Sequence, residues 1–287
     1  MGLQLLREQN LEKKKVMQNQ LWDNGIIAEF MSRTDTMLSV IESDKYKLYV
    51  WVENKVDQKV ILKEAAFCFR ILAFLGAPEG FVVNWWRIDK PRILKPNEFP
   101  TRAEINGGWA YRGQPAVWIY RLEEWDRVLI HECVHALNWD VNPTSEVKSC
   151  LENITGGTFS DALFEAATEF NAEWFWCIIH APETDKTGVT WEKQKRWQLN
   201  QAYKIISRNS GNRWEEDTSV FAYYVLKAAL ALNDFEFLLN WHSSVENPER
   251  WCDVWMKNKS AFYNEANKLA HTNNQTIIMR MTDPDLE

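Results

Sequence analysis

The chain has 287 residues, 46% of them hydrophobic and 25% charged, with a formal net charge of -7. That size and apolar content suffice for a large buried core and exclude global disorder. The acidic balance excludes a sequence-independent nucleic-acid binder, which needs an excess of Lys and Arg. The five cysteines are scattered, with no Cys-x-x-Cys pair, and read as reduced thiols of an intracellular, cytoplasmic protein. The longest apolar run, near residues 174–181, falls far short of the ~20 residues of a membrane span. Lys13, Lys14 and Lys15 stand where a secretory signal would be apolar, so neither membrane nor export is expected.

In chain order, residues 3–22 mix Leu3, Leu6, Val16, Met17 and Leu21 with Gln, Glu and Lys, which predicts a polar helix ended near Asn24 and Gly25. A second short helix is expected over 26–40. Residues 45–52 are aromatic and β-branched and predict a strand. Val60, Ile61, Ala65, Cys68, Ile71, Leu72 and Leu75 recur at near-helical spacing until Gly76, Ala77 and Pro78 stop them. Residues 81–88 predict another strand, and Pro91, Pro96 and Pro100 an irregular connection. Around Gly107-Gly108 and the Gly113-Gln114-Pro115 turn lies a small β region. Its last strand leads into the acidic start of a helix at Glu123, Glu124 and Asp126.

Beyond Trp139 the pattern is mainly helical. Asn142-Pro143-Thr144 is expected to end the preceding helix, and further helices are expected over 160–180, 191–207, 219–232, 235–241 and 247–268. Fraying is expected after Thr272, although Ile277, Ile278 and Met279 could dock as a short strand. The fold class is therefore α+β: mostly helical, with a small sheet in the N-terminal half packed on a central helix. Residues 1–122 would form helices and sheet, and 123–287 a helical lobe, in one compact unit with a cleft between the lobes.

The chemistry concentrates at His131-Glu132-Cys133-Val134-His135, which uses two of only five histidines. On a helix, residues four apart share a face, so His131 and His135 can both ligate a metal while Glu132 reaches a water beside it. Hydrolytic zinc needs a third protein ligand and an open position. The metzincin continuation would place Gly and His where this chain has Asn138 and Val141, which removes that source. The best remaining source is Phe164-Glu165-Ala166-Ala167-Thr168-Glu169. Its two glutamates lie four apart, so one can bind zinc while the other orients a ligating histidine, and the two alanines allow close helix packing. His180, His242 and His271 read as isolated, packed or solvated residues, Trp174 and Trp176 as core, and Cys133 as packing behind the motif helix.

Over about residues 129–170 the sequence resembles the gluzincins, the thermolysin-like branch of zinc metallopeptidases. It departs from thermolysin-type sequences in a longer interval to the glutamate and in Phe164 where they carry asparagine. The resemblance implies a zincin-like fold with His131, His135 and Glu165 as Zn2+ ligands, Glu132 as general base and Glu169 as the carboxylate supporting a ligand. Tyr223 and Tyr224 lie at a distance past the motif similar to that of the catalytic tyrosine of several gluzincins, and Tyr224 is favoured as oxyanion donor. The implied activity is peptide-bond hydrolysis on a peptide or protein held along an edge strand, with residues 107–111 and 116–120 as candidates. Two alternatives stay open: an inactive zinc-containing structural or interaction protein, and a zinc hydrolase acting on something other than peptide. Oligomeric state, and endo- against exopeptidase action, are not legible.

Overall fold

The computed structural model describes residues 4–8, 25–140, 145–155, 164–181, 184–209, 216, 218–232, 249–269 and 275–286. It is of the α+β class, as expected. The chain divides into two compact units, one of Met1–Pro91 with Asn106–Trp139, the other of Arg92–Ile105 with Asp140–Glu287. The expected division at residue 122 thus falls inside the first unit, where the helix carrying the histidines groups with the sheet.

The first unit is a six-stranded mixed sheet with helices. In chain order it contains β1 (Gln4–Glu8), α1 (Ile26–Ser32), β2 (Thr36–Glu42), β3 (Tyr46–Glu53), α2 (Gln58–Phe74) and β4 (Phe81–Trp86). In the second unit follow β5 (Ile93–Leu94) and α3 (Arg102–Ile105), before the chain returns as β6 (Gly108–Ala110), β7 (Ala116–Ile119) and α4 (Trp125–Ala136). The strand order is β1-β2-β3-β4-β7-β6. Strands β3, β4 and β7 run parallel, whereas β1, β2 and β6 pair antiparallel to their neighbours.

The alternation of side chains along each strand gives the sheet two faces of different character. Tyr46, Leu48, Val50, Phe81, Val83, Trp85, Val117 and Ile119 are buried, and Tyr46 and Trp85 meet Phe69 of α2 and Trp125 of α4. The other face holds a row of aromatic rings. Trp51 stacks on Trp86 with centroids 4.7 Å apart, Trp86 on Trp109 at 5.9 Å, and Trp109 on Trp118 at 5.9 Å. Ile26, Ile27, Phe30 and Met31 of α1 cluster with these rings.

Three expectations for this unit change. Gln4–Glu8 is a strand, because its backbone pairs antiparallel with β2 from Gln4↔Glu42 to Glu8↔Leu38, and a sheet ladder overrides a weak helical pattern. Residues 9–24 lie outside the described residues. The helix expected over 26–40 stops at Ser32, and Thr36–Glu42 is a strand instead. The helix carrying the histidines ends well before Asn142-Pro143. Asn138 takes the left-handed conformation at φ 59. Asn138 N–H then reaches His135 C=O at 2.9 Å, and Trp139 N–H reaches Val134 C=O at 2.9 Å. These are the bonds of a Schellman cap, with asparagine serving where glycine is commoner.

The second unit is mainly helical: α5 (Ser145–Thr155), α6 (Glu165–His180), α7 (Thr184–Arg208), a π-helical stretch (Phe221–Leu226) running into α8 (Lys227–Ala231), then α9 (Glu249–Lys268) and β8 (Ile277–Ile278). The helix expected over 235–241 lies outside the described residues. Among the described residues no helix is long and apolar enough to cross a membrane.

The C-terminal segment is anchored where fraying was expected. Strand β8 pairs with β5, and Met279 N–H reaches Arg92 C=O at 2.7 Å. One face of α7 holds the segment by its carbonyls. Gln201 Nε2 donates to Ile278 O and Arg280 O, each at 2.8 Å, Trp197 Nε1 donates to Arg280 O at 3.2 Å, and Gln194 Nε2 donates to Met281 O at 2.6 Å. Buried amide side chains need partners, and backbone carbonyls supply them. Cys150 of α5 and Cys252 of α9 are joined as a disulfide with Cα atoms 6.4 Å apart, correcting the reading of five reduced thiols. Cys68, Cys133 and Cys177 are free and buried.

Candidate metal centre

Helix α4 places the site. Its N-terminal end is fixed by aromatic packing: Trp85 stacks on Trp125 at 4.7 Å, and Phe67 meets Trp125 edge-on at 5.9 Å. Trp85 Nε1 donates to Arg121 O at 2.9 Å just upstream. Its C-terminal end is fixed by the Asn138 cap and by Gly113 N–H, which reaches His135 C=O at 3.4 Å. Between these anchors every residue from Asp126 to Ala136 is buried. Charged and polar side chains enter such a helix only where something compensates their desolvation.

His131, Glu132 and His135 supply such a group. Their ligand atoms all lie within 4.8 Å of one another, and their residues are 6%, 5% and 7% exposed. The two Nε2 atoms are 3.0 Å apart, with rings nearly perpendicular at 79°. Nitrogens at about 2.0–2.1 Å from one tetrahedral zinc ion would be slightly more than 3 Å apart, so the donor set fits a shared cation. The same spacing also permits an N–H···N bond in one tautomer. Cys133 lies between the histidines in sequence but not in chemistry. Burial pushes its thiol well above the usual range, so it is a packed, protonated side chain.

The edge strand touches the glutamate. A Cβ built on Gly108 would lie 2.6 Å from Trp118 O and 3.0 Å from both Cγ and Oε1 of Glu132. Only glycine lets β6 approach this closely. Gly108 is a site residue the sequence reading did not single out, although a glycine pair opening a short strand signals close backbone approach.

Glu165, Glu169, Tyr223 and Tyr224 belong to the second unit. Glu165 and Glu169 are 9% and 2% exposed, and one turn further Glu173 is fully buried. These three acids fall at every fourth position on α6. The buried Lys227 ammonium lies 2.9 Å from Glu173 Oε1 and 3.8 Å from Glu169 Oε2. Gln194 Nε2 also donates to Glu173. Thr168 Oγ1 donates to Asp140 Oδ1 at 3.2 Å.

Tyr224, at 1% exposure, donates its hydroxyl to Met279 O at 2.9 Å. A phenol has one proton to give, and here it holds the C-terminal segment. Tyr223 is half-buried in the same π-helical stretch. Trp176 is core, stacked on His180 at 4.2 Å, and Trp174 packs edge-on against Trp191. Comparison with protein families, with curated proteins and with solved structures finds no match to this chain.

Proposed function

We propose that the chain is a zinc-dependent metallopeptidase of gluzincin type, with a zincin-like arrangement of sheet and helix. The observation carrying this reading is the buried convergence of His131 and His135 Nε2 at 3.0 Å, with Glu132 in the same cluster against an edge strand. His131 and His135 would hold the metal; Glu165 as third ligand and Glu169 as its supporting carboxylate are what the sequence resemblance adds to this geometry. Bound zinc supplies a Lewis acid that acidifies a water and polarises a carbonyl. The chain's own residues do the rest. Glu132 takes the water proton on its carboxylate and returns it to the leaving nitrogen, and its burial keeps that proton from bulk solvent. Strand β6, at the end of the sheet, offers its backbone to an extended peptide. Of the tyrosine pair, Tyr223 is the better oxyanion donor, since Tyr224 spends its proton on Met279.

The Glu132→Gln protein tests this directly. It is expected to bind one zinc as the wild type does and to cleave a peptide library about a hundredfold or more slower, the usual weight of a general base. Equal cleavage by the two proteins refutes the reading. The bond from Tyr224 to Met279 favours a second reading, a zinc-holding protein without peptidase activity, because it removes one donor from the oxyanion role. Zinc bound without any chelator-sensitive cleavage of peptides, esters or amides would select that reading. Chelator-sensitive cleavage of a non-peptide substrate alone would select a different hydrolase.

A further inference from the structure

Tyr120 N–H reaches Gly107 C=O at 2.9 Å, and β6 pairs with β7 in the register Gly108↔Ile119, Trp109↔Trp118 and Ala110↔Val117. Bonded and non-bonded pairs alternate in an antiparallel ladder, so Gly107 and Trp109 spend their backbone groups on β7. Gly108 and Ala110 therefore turn N–H and C=O to the opposite side, where no described strand pairs with β6.

Side chains along β6 alternate as well. A Cβ on Gly108 would meet Glu132, so Gly108 and Ala110 face α4. Trp109 and Tyr111 face the other side, that of the stacked rings. The Trp109 ring leans inward, stacked on Trp118 and on Trp86 two strands away. Tyr111 meets Trp118 edge-on at 5.6 Å and is 42% exposed, and Trp118 is itself only partly buried. The aromatic row thus ends beside the outward edge of β6 in an accessible corner of Tyr111 and Trp118.

We infer that the substrate is a peptide that adds to β6 antiparallel and places an aromatic side chain opposite Trp109, against Tyr111 and Trp118. This deepens the peptidase reading above and rests on it. Antiparallel addition lets a stretch of about three residues use every outward group of Gly108 and Ala110, whereas parallel addition spreads the same bonds over about five. The outer residues of that stretch bond to Gly108 and Ala110 and send their side chains to the α4 face. The middle residue turns its N–H and C=O away from β6 and its side chain to the aromatic face, with its Cα about 4.5 Å from that of Trp109. From there a ring reaches its diagonal neighbour Tyr111, and rings favour edge-to-face or offset contact with rings. Backbone bonding holds the peptide, and Tyr111 is the specificity-determining residue that selects the neighbour of the residue laid against Gly108.

The experiment begins with a position-scanned peptide library cleaved by the zinc-loaded full chain, with and without chelator. One position is expected to favour Phe, Tyr or Trp over Ala by about tenfold in kcat/KM, the effect of burying part of a ring. The best sequence is then N-methylated residue by residue, and each product is used as a competitor of cleavage. Methylation at the aromatic position should weaken competition by less than about threefold, because that N–H makes no bond to β6. Methylation of the residue on either side should weaken it about tenfold or more, because those N–H groups donate to Gly108 and Ala110 C=O. Tyr111→Ala should lower the preference for Phe over Ala about fivefold, and Tyr111→Phe should keep it. A merely structural Tyr111 would slow both peptides alike and leave the ratio unchanged.

An unchanged ratio in Tyr111→Ala overturns the inference and leaves the peptidase reading intact. So does chelator-sensitive cleavage with no aromatic preference, with Lys or Arg preferred there instead, or with the preference at a position where N-methylation abolishes competition. The last outcome is read on the wild type and decides the matter even if the Tyr111 variants fail to fold. Absence of any chelator-sensitive cleavage across the library removes the peptidase reading itself, and the inference with it.

Discussion

Gly108→Ala tests the juxtaposition of edge strand and glutamate. The new methyl would sit 2.6 Å from Trp118 O, where 3.4 Å is ordinary contact, so 0.8 Å must be found. Trp118 O belongs to the backbone of β7, which is paired on both sides, with β4 and with β6, and cannot yield alone. Overpacking of this kind costs about 1–3 kcal/mol. The same methyl stands 3.0 Å from Glu132 Cγ and Oε1, so the carboxylate must shift by about 0.4 Å to regain ordinary contact. On the proposed function, in which Glu132 is the general base, a displacement of about 1 Å costs about a hundredfold in a positioned catalytic group, so about a tenfold loss of peptide cleavage is expected.

Urea unfolding measures the first effect and peptide cleavage under saturating zinc the second. Gly188→Ala is the control of opposite sign. Gly188 lies within α7, a Cβ there would meet nothing within 4 Å, and the change should stabilise by about 0.5–1 kcal/mol. A Gly108→Ala protein as stable as wild type would refute the packing argument. One destabilised but fully active would detach Glu132 from the chemistry.

Other consequences follow from the cap and the cysteines. Asn138→Ala should destabilise by up to about 1 kcal/mol in urea, because alanine keeps the Cβ and loses the short amide that eases the left-handed conformation, while Asn138→Gly, with no Cβ, should cost nothing; equal effects would refute the Schellman cap. Thiol titration should find no reactive cysteine in the native protein, three after denaturation without reductant and all five after reduction; five without reductant would remove the Cys150–Cys252 bond. Burial raises the Cys68 and Cys177 thiols above their unfolded range. Their stabilising contribution is complete below the unfolded pKa of about 8.5 and is lost as pH rises past it, by about 1.4 kcal/mol per pH unit for each thiol. Urea midpoints should therefore fall between about pH 8.5 and 10, less steeply for Cys68→Ala; identical slopes would refute this.

Local patterns decided much of the first unit. Aromatic and β-branched runs marked β3 and β4, helical spacing marked α2, and the His-Glu-x-x-His interval alone put three polar groups on one stretch of helix, where they meet. These features depend on neighbours within a turn or a strand length, which the sequence displays directly. Tertiary structure decided whatever depends on distant partners. Gln4–Glu8 became a strand because β2 was there to pair with it, and Gly108 matters because Trp118 and Glu132 lie against it. The C-terminal segment is ordered because Gln194, Trp197 and Gln201 offer donors to its carbonyls, and Lys227 acquires meaning only beside Glu169 and Glu173. A lone lysine in an apolar helix gives no sign of its counter-charges, because Coulomb partners are chosen by distance in space and not by separation along the chain.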